Sequence, residues 1–252
     1  MTSYPQWCLQ AAQDQSIFQH FRRADPCRWI VETVDYEQGL TYADAILKEY
    51  PYFIPAFPQI VEEDRLGEPV TWNFPPIGTL SPTTLRYVKT AGDLQKEFGD
   101  LKNFRIVEIG GGFGGQCKIL RDLCPFKSYT IVDLPECTPL IAKYLSQNHV
   151  ENAFCLDSTA IDTENSYDLV ISNYALSEID KSEQMNYLKN IVNCSLRGYL
   201  TYNDVSSFNE ISSLTKDEVI SFLTQENRKI KISPENPPTG KGTFVITWEP
   251  TP

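Results

Sequence analysis

The sequence predicts a doubly wound α/β fold: a mostly parallel, seven-stranded sheet ending in a C-terminal antiparallel hairpin, with a helical segment ahead of it. Three observations predict this. From residue 105 onward, short β-branched apolar runs alternate with stretches of helical period, the pattern of a parallel sheet with crossover helices. A glycine-rich turn follows the first of these runs. The last two runs are joined through Pro237-Pro238 and Gly240 with no helix between them, which makes them a hairpin.

Ahead of the sheet, Trp7, Ala11, Phe18 and Phe21 recur at helical spacing, and the pattern stops before Asp25-Pro26. A second helix runs through Trp29-Ile30-Val31. A third is expected to open at Thr41, with Asp44 in capping-box position, and to end before Pro51. Residues 51–76 are dense in proline and aromatic side chains, among them Tyr52, Phe53, Phe57, Trp72 and Phe74. That is too apolar for a floppy linker and reads as an ordered loop packed on the α/β domain. Ser81-Pro82 starts the next helix, with serine as cap and proline at the first helical position. Its apolar side is Leu85, Val88, Leu94 and Phe98, and Gly99 ends it.

The strands are then expected at 105–109, 129–133, 153–156, 168–172 and 198–203, with the hairpin at 229–232 and 243–248. Helices fall between them around 117–123, 140–145, 184–192 and 215–226.

Composition narrows the function. With 252 residues there is room for one α/β domain and an extra segment. A net charge of −11 argues against a nucleic-acid substrate, because a phosphate backbone would be repelled. Arg22-Arg23 is the only arginine pair, and no basic patch is visible. The N-terminus lacks a basic, then apolar, signal pattern, and no run is long enough to span a bilayer. The expected location is the cytoplasm. Seven cysteines without a C-x-x-C pair fit neither a disulfide scaffold nor a zinc site. No set of His, Asp and Glu has metal-ligand spacing, so no metal is expected.

The chemistry lies in Glu108-Ile109-Gly110-Gly111-Gly112-Phe113-Gly114. A glycine turn between strand and helix lets a ligand lie against bare backbone and the helix N-terminus. Gly110, Gly112 and Gly114 supply this here. The same stretch satisfies G-x-G-x-x-G through Gly110, Gly112 and Gly115, so alone it fits a dinucleotide equally well. Asp133, at the next strand end, would accept ribose hydroxyls in either case. Three features separate the two. Glu108, before the first glycine, suits the ammonium of S-adenosylmethionine and would face a pyrophosphate unfavourably. Asp157-Ser158 follow the third strand, where an acid meets the adenine amino group in many methyltransferases. The terminal hairpin is a mark of the methyltransferase sheet, which dinucleotide domains lack. The cofactor expected is therefore S-adenosylmethionine.

Four stretches carry a closer resemblance: Leu80-Ser81-Pro82-Thr83-Thr84-Leu85-Arg86-Tyr87, Val107 to Gln116, Ile131-Val132-Asp133-Leu134-Pro135, and Ile171-Ser172-Asn173-Tyr174-Ala175-Leu176-Ser177-Glu178. Together they resemble a bacterial and viral family of sugar O-methyltransferases with a Rossmann-like fold, over roughly residues 80–205. The segment before residue 80 adds little to the resemblance; residues 1–80 are expected to form a helical lid or substrate segment and 81–252 the methyltransferase domain. The resemblance implies Leu134 and Asn173 as cofactor neighbours, and a sugar or glycan hydroxyl as acceptor. Arg86 and Tyr87 are placed to meet the methionine carboxylate or the acceptor, with a helix-face salt bridge as the alternative for Arg86.

A sugar hydroxyl is a poor nucleophile, so a general base is expected. Similar small-molecule O-methyltransferases carry a histidine just after the fourth strand, where this chain has Ser177. Glu178 and Asp204, at the carboxyl edge of the sheet, are the leading candidates for the base. His20 is a third, if the N-terminal segment closes as a lid; His149 lies at the opposite edge. Three rival readings remain. They are another small-molecule acceptor (a phenol, carboxylate or phosphate-type compound), an oxidoreductase using a nicotinamide cofactor, and a non-catalytic cofactor-binding protein. Asn236-Pro237-Pro238-Thr239 has the form of an amide-methyltransferase motif but stands in the hairpin, and Thr239-Gly240-Lys241-Gly242-Thr243 reads as a hairpin turn. Oligomeric state is not legible.

Overall fold

A computed structural model describes residues 2–161, 165–203, 212–224 and 228–251. The N-terminal segment is helical but more finely divided than its periodicity suggests. Helices α1 (Tyr4–Gln13) and α2 (Gln15–Phe18) are separate because the Asp14 carboxylate accepts the backbone N–H of Ser16 at 2.7 Å and starts a new turn. Such a cap competes with continuation of the helix. Phe18 and Phe21 are buried nonetheless. Helix α3 (Asp25–Ile30) takes Pro26 into its first turn.

Helix α4 (Tyr36–Glu49) opens earlier than Thr41, at a complete capping box: Asp35 accepts from Gln38 N–H at 2.8 Å, and Gln38 Oε1 accepts from Asp35 N–H at 3.2 Å. Thr41 instead donates its hydroxyl to the Gln38 carbonyl. The stretch expected to be a loop holds more regular structure than its composition suggests. It contains a 3₁₀ stretch at Pro51–Ala56, helix α5 (Phe57–Glu63), and a small antiparallel pair, β1 (Trp72–Phe74) and β2 (Gly78–Leu80).

One buried cation ties this segment to the rest. Arg22, 1% exposed, pairs with Glu32 at 2.5 Å and Asp64 at 3.0 Å, and its guanidinium lies over the Phe113 ring. Asp64 and Glu32 in turn accept from Ser81 N–H and Ser81 Oγ, at the cap of helix α6 (Pro82–Phe98). The Arg22-Arg23 pair is thus half buried glue, not a basic patch.

The main sheet comprises β3 (Arg105–Ile109), β4 (Ser128–Asp133), β5 (Ala153–Asp157), β6 (Tyr167–Asn173), β7 (Ser195–Tyr202), β8 (Arg228–Pro234) and β9 (Phe244–Pro250). Their order is β5-β4-β3-β6-β7-β9-β8; the first five are parallel, and the closing hairpin is antiparallel to β7 through β9. This is the sheet the sequence predicts.

Helices α7 (Gly115–Leu123), α8 (Thr138–Gln147), α9 (Lys181–Tyr187) and α10 (Lys216–Thr224) flank the sheet. Strand alternation divides the core: Ile106, Leu169 and Ile171 pack with α6, α7, α8 and the N-terminal helices, while Val107, Ile109 and Val170 pack with α9 and α10. Strand order reverses between β3 and β6, and at their carboxyl ends such a reversal opens a crevice. Among the described residues no helix is long and apolar enough to cross a membrane.

Candidate functional site

A cleft of about 500 Å³ lies at that reversal, a size suited to a drug-sized or nucleotide-like ligand. Its floor is the turn between β3 and α7. Gly110 and Gly112 have φ of +73° and +61°, where side chains are strained. Space is equally restrictive. A Cβ on Gly110 would stand 2.1 Å from the Cβ of Ala175, and one on Gly112 would stand 3.1 Å from Val31 Cγ1. The turn is therefore wedged between the N-terminal segment and the loop after β6. Gly110→Ala is expected to lower the melting temperature and to remove ligand binding in isothermal titration. A variant that binds like the wild type would show that the wedge is not needed. Gly114 caps α7 and is not part of the cleft wall.

Two acids stand at the floor. Glu108 is 2% exposed, accepts a hydrogen bond from Tyr129 Oη at 3.0 Å, and still lines the cleft. Burial pushes its carboxyl up to about 8; the Tyr129 bond works against this and the nearby Asp133 adds to it. Asp133 ends β4, and Leu134 N–H donates to its Oδ1 at 2.8 Å. Burial raises Asp133 to about 6 against the backbone N–H groups of Leu134, Gly111 and Gly112 and the Cys137 thiol. Two neighbouring carboxyl groups held partly protonated in a cleft are groups prepared for hydrogen-bonding or cationic partners.

The other expected cofactor residues fall on both sides of this floor. Leu134 is 42% exposed and lines the cleft, as does Ser158. Asp157 does not; its Oδ1 accepts from Thr159 N–H and Oγ1 at 2.8 and 2.9 Å and caps a short turn. Glu183 and Tyr187 of α9 line the cleft instead, on the side of Ser158. Asn173 ends β6 and lines the cleft, with its Oδ1 held by Thr201 Oγ1 at 3.1 Å. Arg86 donates to the Val31 carbonyl and Thr33 Oγ1, lies over the Tyr87 and Tyr174 rings, and forms no ion pair among the described residues. A helix-face salt bridge, the alternative role for Arg86, is therefore not present there.

The candidate bases separate clearly. Glu178 is exposed, lines the cleft, and accepts from Asn203 Nδ2 at 2.7 Å. Ser177 beside it is fully buried, donating to the Tyr174 carbonyl at 2.6 Å and accepting Asn203 N–H at 3.1 Å. It clamps the loop and leaves no room for a base at that position. Asp204 lies outside the described residues. His20 is exposed and is not among the cleft-lining residues; the break at Asp14 and the turn Phe21–Arg23 set it on the outer face.

Several lining residues gave no signal in the sequence, because they come from segments distant in the chain. Trp29 and Ile30 form an exposed rim from α3, and Thr239 arrives from the hairpin loop. Thr239 Oγ1 lies 2.6 Å from Tyr174 Oη and 2.8 Å from Tyr42 Oη. Tyr4 of α1 is the most telling. Its hydroxyl is buried and has no partner among the described residues, and its residue lines the cleft near Asp133. Such an oxygen is open to a partner from outside the protein, a water or a ligand. Among the described residues no group of three or more His, Cys, Asp or Glu is arranged to hold a metal ion.

No family model and no curated protein sequence matches the chain. Solved structures do. The chain is similar to magnesium protoporphyrin IX methyltransferase (ChlM) from Synechocystis with bound S-adenosylmethionine, at 11% identity and TM-score 0.53, over 67% of this chain and 79% of that one. It is similar to an S-adenosylmethionine-dependent methyltransferase from Clostridium acetobutylicum, at 12% identity and TM-score 0.52, over 66% and 92%. The glycopeptide N-methyltransferase MtfA in complex with S-adenosylmethionine matches at 10% identity and TM-score 0.51, over 65% and 94%. Identity this low speaks to architecture, and the strand order agrees: the chain has the class I fold of S-adenosylmethionine-dependent methyltransferases.

Proposed function

We propose that this protein is an S-adenosylmethionine-dependent O-methyltransferase whose acceptor is a hydroxyl of a sugar or glycan. The observation that carries the donor half is Glu108. A desolvated carboxyl at the floor of the glycine turn is accounted for by a cationic methionine half, which would offset the cost of ionising it, whereas a pyrophosphate there would offset none of it. The unpartnered Tyr4 hydroxyl beside Asp133 supports the same fit at the ribose end. The acceptor half rests on the motifs Ser81 to Tyr87 and Asn173 to Glu178, both of which contribute to the cleft. Calorimetric titration with S-adenosylhomocysteine and with NAD tests the donor half; binding of NAD alone would overturn it.

When bound, the cofactor supplies an activated methyl group on a sulfonium. The protein's own work is positional and electrostatic. Glu108 would meet the ammonium, Arg86 the carboxylate, Asp133 and Tyr4 the ribose, and Leu134 with Tyr187 would flank the adenine. Holding an acceptor oxygen in line with the methyl carbon within a dry cleft supplies most of the acceleration. Glu178 would take the hydroxyl proton as the acceptor oxygen bonds to the methyl carbon and the carbon–sulfur bond breaks, its electron pair going to sulfur to leave a neutral thioether, and Asn203 would hold the other carboxylate oxygen in place.

Tyr4→Phe is expected to weaken S-adenosylhomocysteine binding about tenfold, the worth of one buried hydrogen bond (~1.4 kcal/mol). The ligand-free melting temperature should hold or rise, since the hydroxyl has no partner there. Unchanged affinity would remove Tyr4 from the donor site.

A further inference from the structure

We infer that the acceptor is an uncharged hydroxyl compound with an apolar face: a glycoside, not a nucleotide-activated or phosphorylated sugar. This rests on the donor reading above and sharpens its acceptor half. Two independent observations carry it, one of charge and one of shape.

The charge observation is the sign of the cleft. Glu108, Asp133, Glu178 and Glu183 line it, and Arg86 is the one Lys or Arg among the described lining residues. Arg86 is the natural partner of the methionine carboxylate, so a donor-loaded cleft leaves no free cation for the acceptor. A diphosphate would bring two negative charges to a cleft whose exposed acids are Glu178 and Glu183, on a chain of net charge −11, with no further donor fork among the described lining residues to receive it.

The shape observation is the rim itself. Trp29 and Ile30 are 55% and 60% exposed at the end of α3, side by side at the cleft mouth. Their neighbour Val31 is pinned: its carbonyl accepts from Arg86 at 3.2 Å and its side chain lies against Gly112. The platform is therefore held in register with the floor of the site. An exposed indole at the mouth can stack on the C–H surface of a ring, leaving the ring hydroxyls to Glu178 and Asn203, which line the same cleft. The reaction that supplies such a substrate is a glycosyl transfer that has already released the nucleotide.

The test uses the full chain and matched acceptors: phenyl and methyl glycosides of hexoses and deoxyhexoses, against the same sugars as UDP or dTDP conjugates and as 1-phosphates. S-adenosylhomocysteine release is the readout. Transfer to the uncharged set should exceed transfer to the charged set at least tenfold at low salt, and the gap should narrow at high salt as the rim is screened. Trp29→Ala should raise the acceptor KM about tenfold with kcat little changed and S-adenosylhomocysteine affinity unaltered, and Trp29→Phe should restore KM. Preference for the phosphorylated set, no transfer to any uncharged glycoside by a chain that binds S-adenosylhomocysteine, or an unmoved KM in Trp29→Ala would each overturn the inference. A wild-type chain that binds no S-adenosylhomocysteine overturns the donor reading, and this inference with it.

Discussion

Glu108→Gln is expected to bind S-adenosylhomocysteine about a hundredfold more weakly than the wild type while melting at a higher temperature at alkaline pH. The opposed signs come from one cause. Glu108 is enclosed beneath the glycine turn with a single hydrogen bond, from Tyr129, and burial raises its carboxyl from 4.5 to about 8. The folded protein therefore binds this proton more tightly than the unfolded chain does. The associated stability is fully present below pH 4.5 and is lost as pH rises through 8. At pH 9 the folded wild type holds a buried anion, at a cost of about 5 kcal/mol as an upper bound. Glutamine keeps the shape and carries no charge. The two proteins should melt together near pH 4.5, with the variant about 10 °C ahead near pH 9.

Binding reverses the order. A ligand ammonium recovers the cost of the anion, and losing that buried pair removes about 3 kcal/mol. Near pH 7 the wild type should release a proton from Glu108 on binding, visible as an enthalpy that varies with buffer ionisation heat. The variant should lack that contribution. Equal affinity in both proteins would show that the carboxylate does not meet the ligand.

Glu178→Gln carries the second large effect: a fall in kcat of a hundredfold to a thousandfold, with S-adenosylhomocysteine affinity within twofold of wild type. The split follows from position. Glu178 stands at the exposed side of the cleft, past the Asn173 end of β6, while the donor residues Glu108 and Asp133 lie on the floor. Asn203 at the end of β7 donates to its Oε1 and leaves Oε2 for the acceptor hydroxyl. Asn203→Ala should lower kcat less, because it loosens the base without removing it. Turnover at the wild-type rate in Glu178→Gln would remove this residue from the mechanism, and Asp204, which follows Asn203, would be the next acid to vary.

The residues legible in the sequence are those whose role is set within a few positions of the chain. The strand–turn–helix at Gly110, the acid at the end of the next strand and the closing hairpin each have a local signature of period and turn chemistry. The N-terminal boundaries were less legible because side-chain capping competed with periodicity: Asp14 split a helix, and Asp35 with Gln38 opened one ahead of Thr41. The proline-rich stretch concealed α5 and the β1–β2 pair, because proline masks the hydrophobic period by which helices and strands are read.

Local sequence was enough for the sheet, the glycine turn and the acids Glu108 and Asp133, because backbone geometry and strand ends place them whatever packs above. The walls belong to the tertiary structure. Tyr4, Trp29, Glu183 and Thr239 reach one cleft from four remote segments, and only packing of the N-terminal helices and the hairpin loop against the sheet brings them together. Packing also separated neighbours that read alike: Ser177 turns inward as a clamp and Glu178 outward to the cleft. Asp157 closes on its own turn while Ser158 faces the cleft. A period of residues tells which face of a strand is buried, but in the loops beyond the strands direction is set by contacts from elsewhere in the chain.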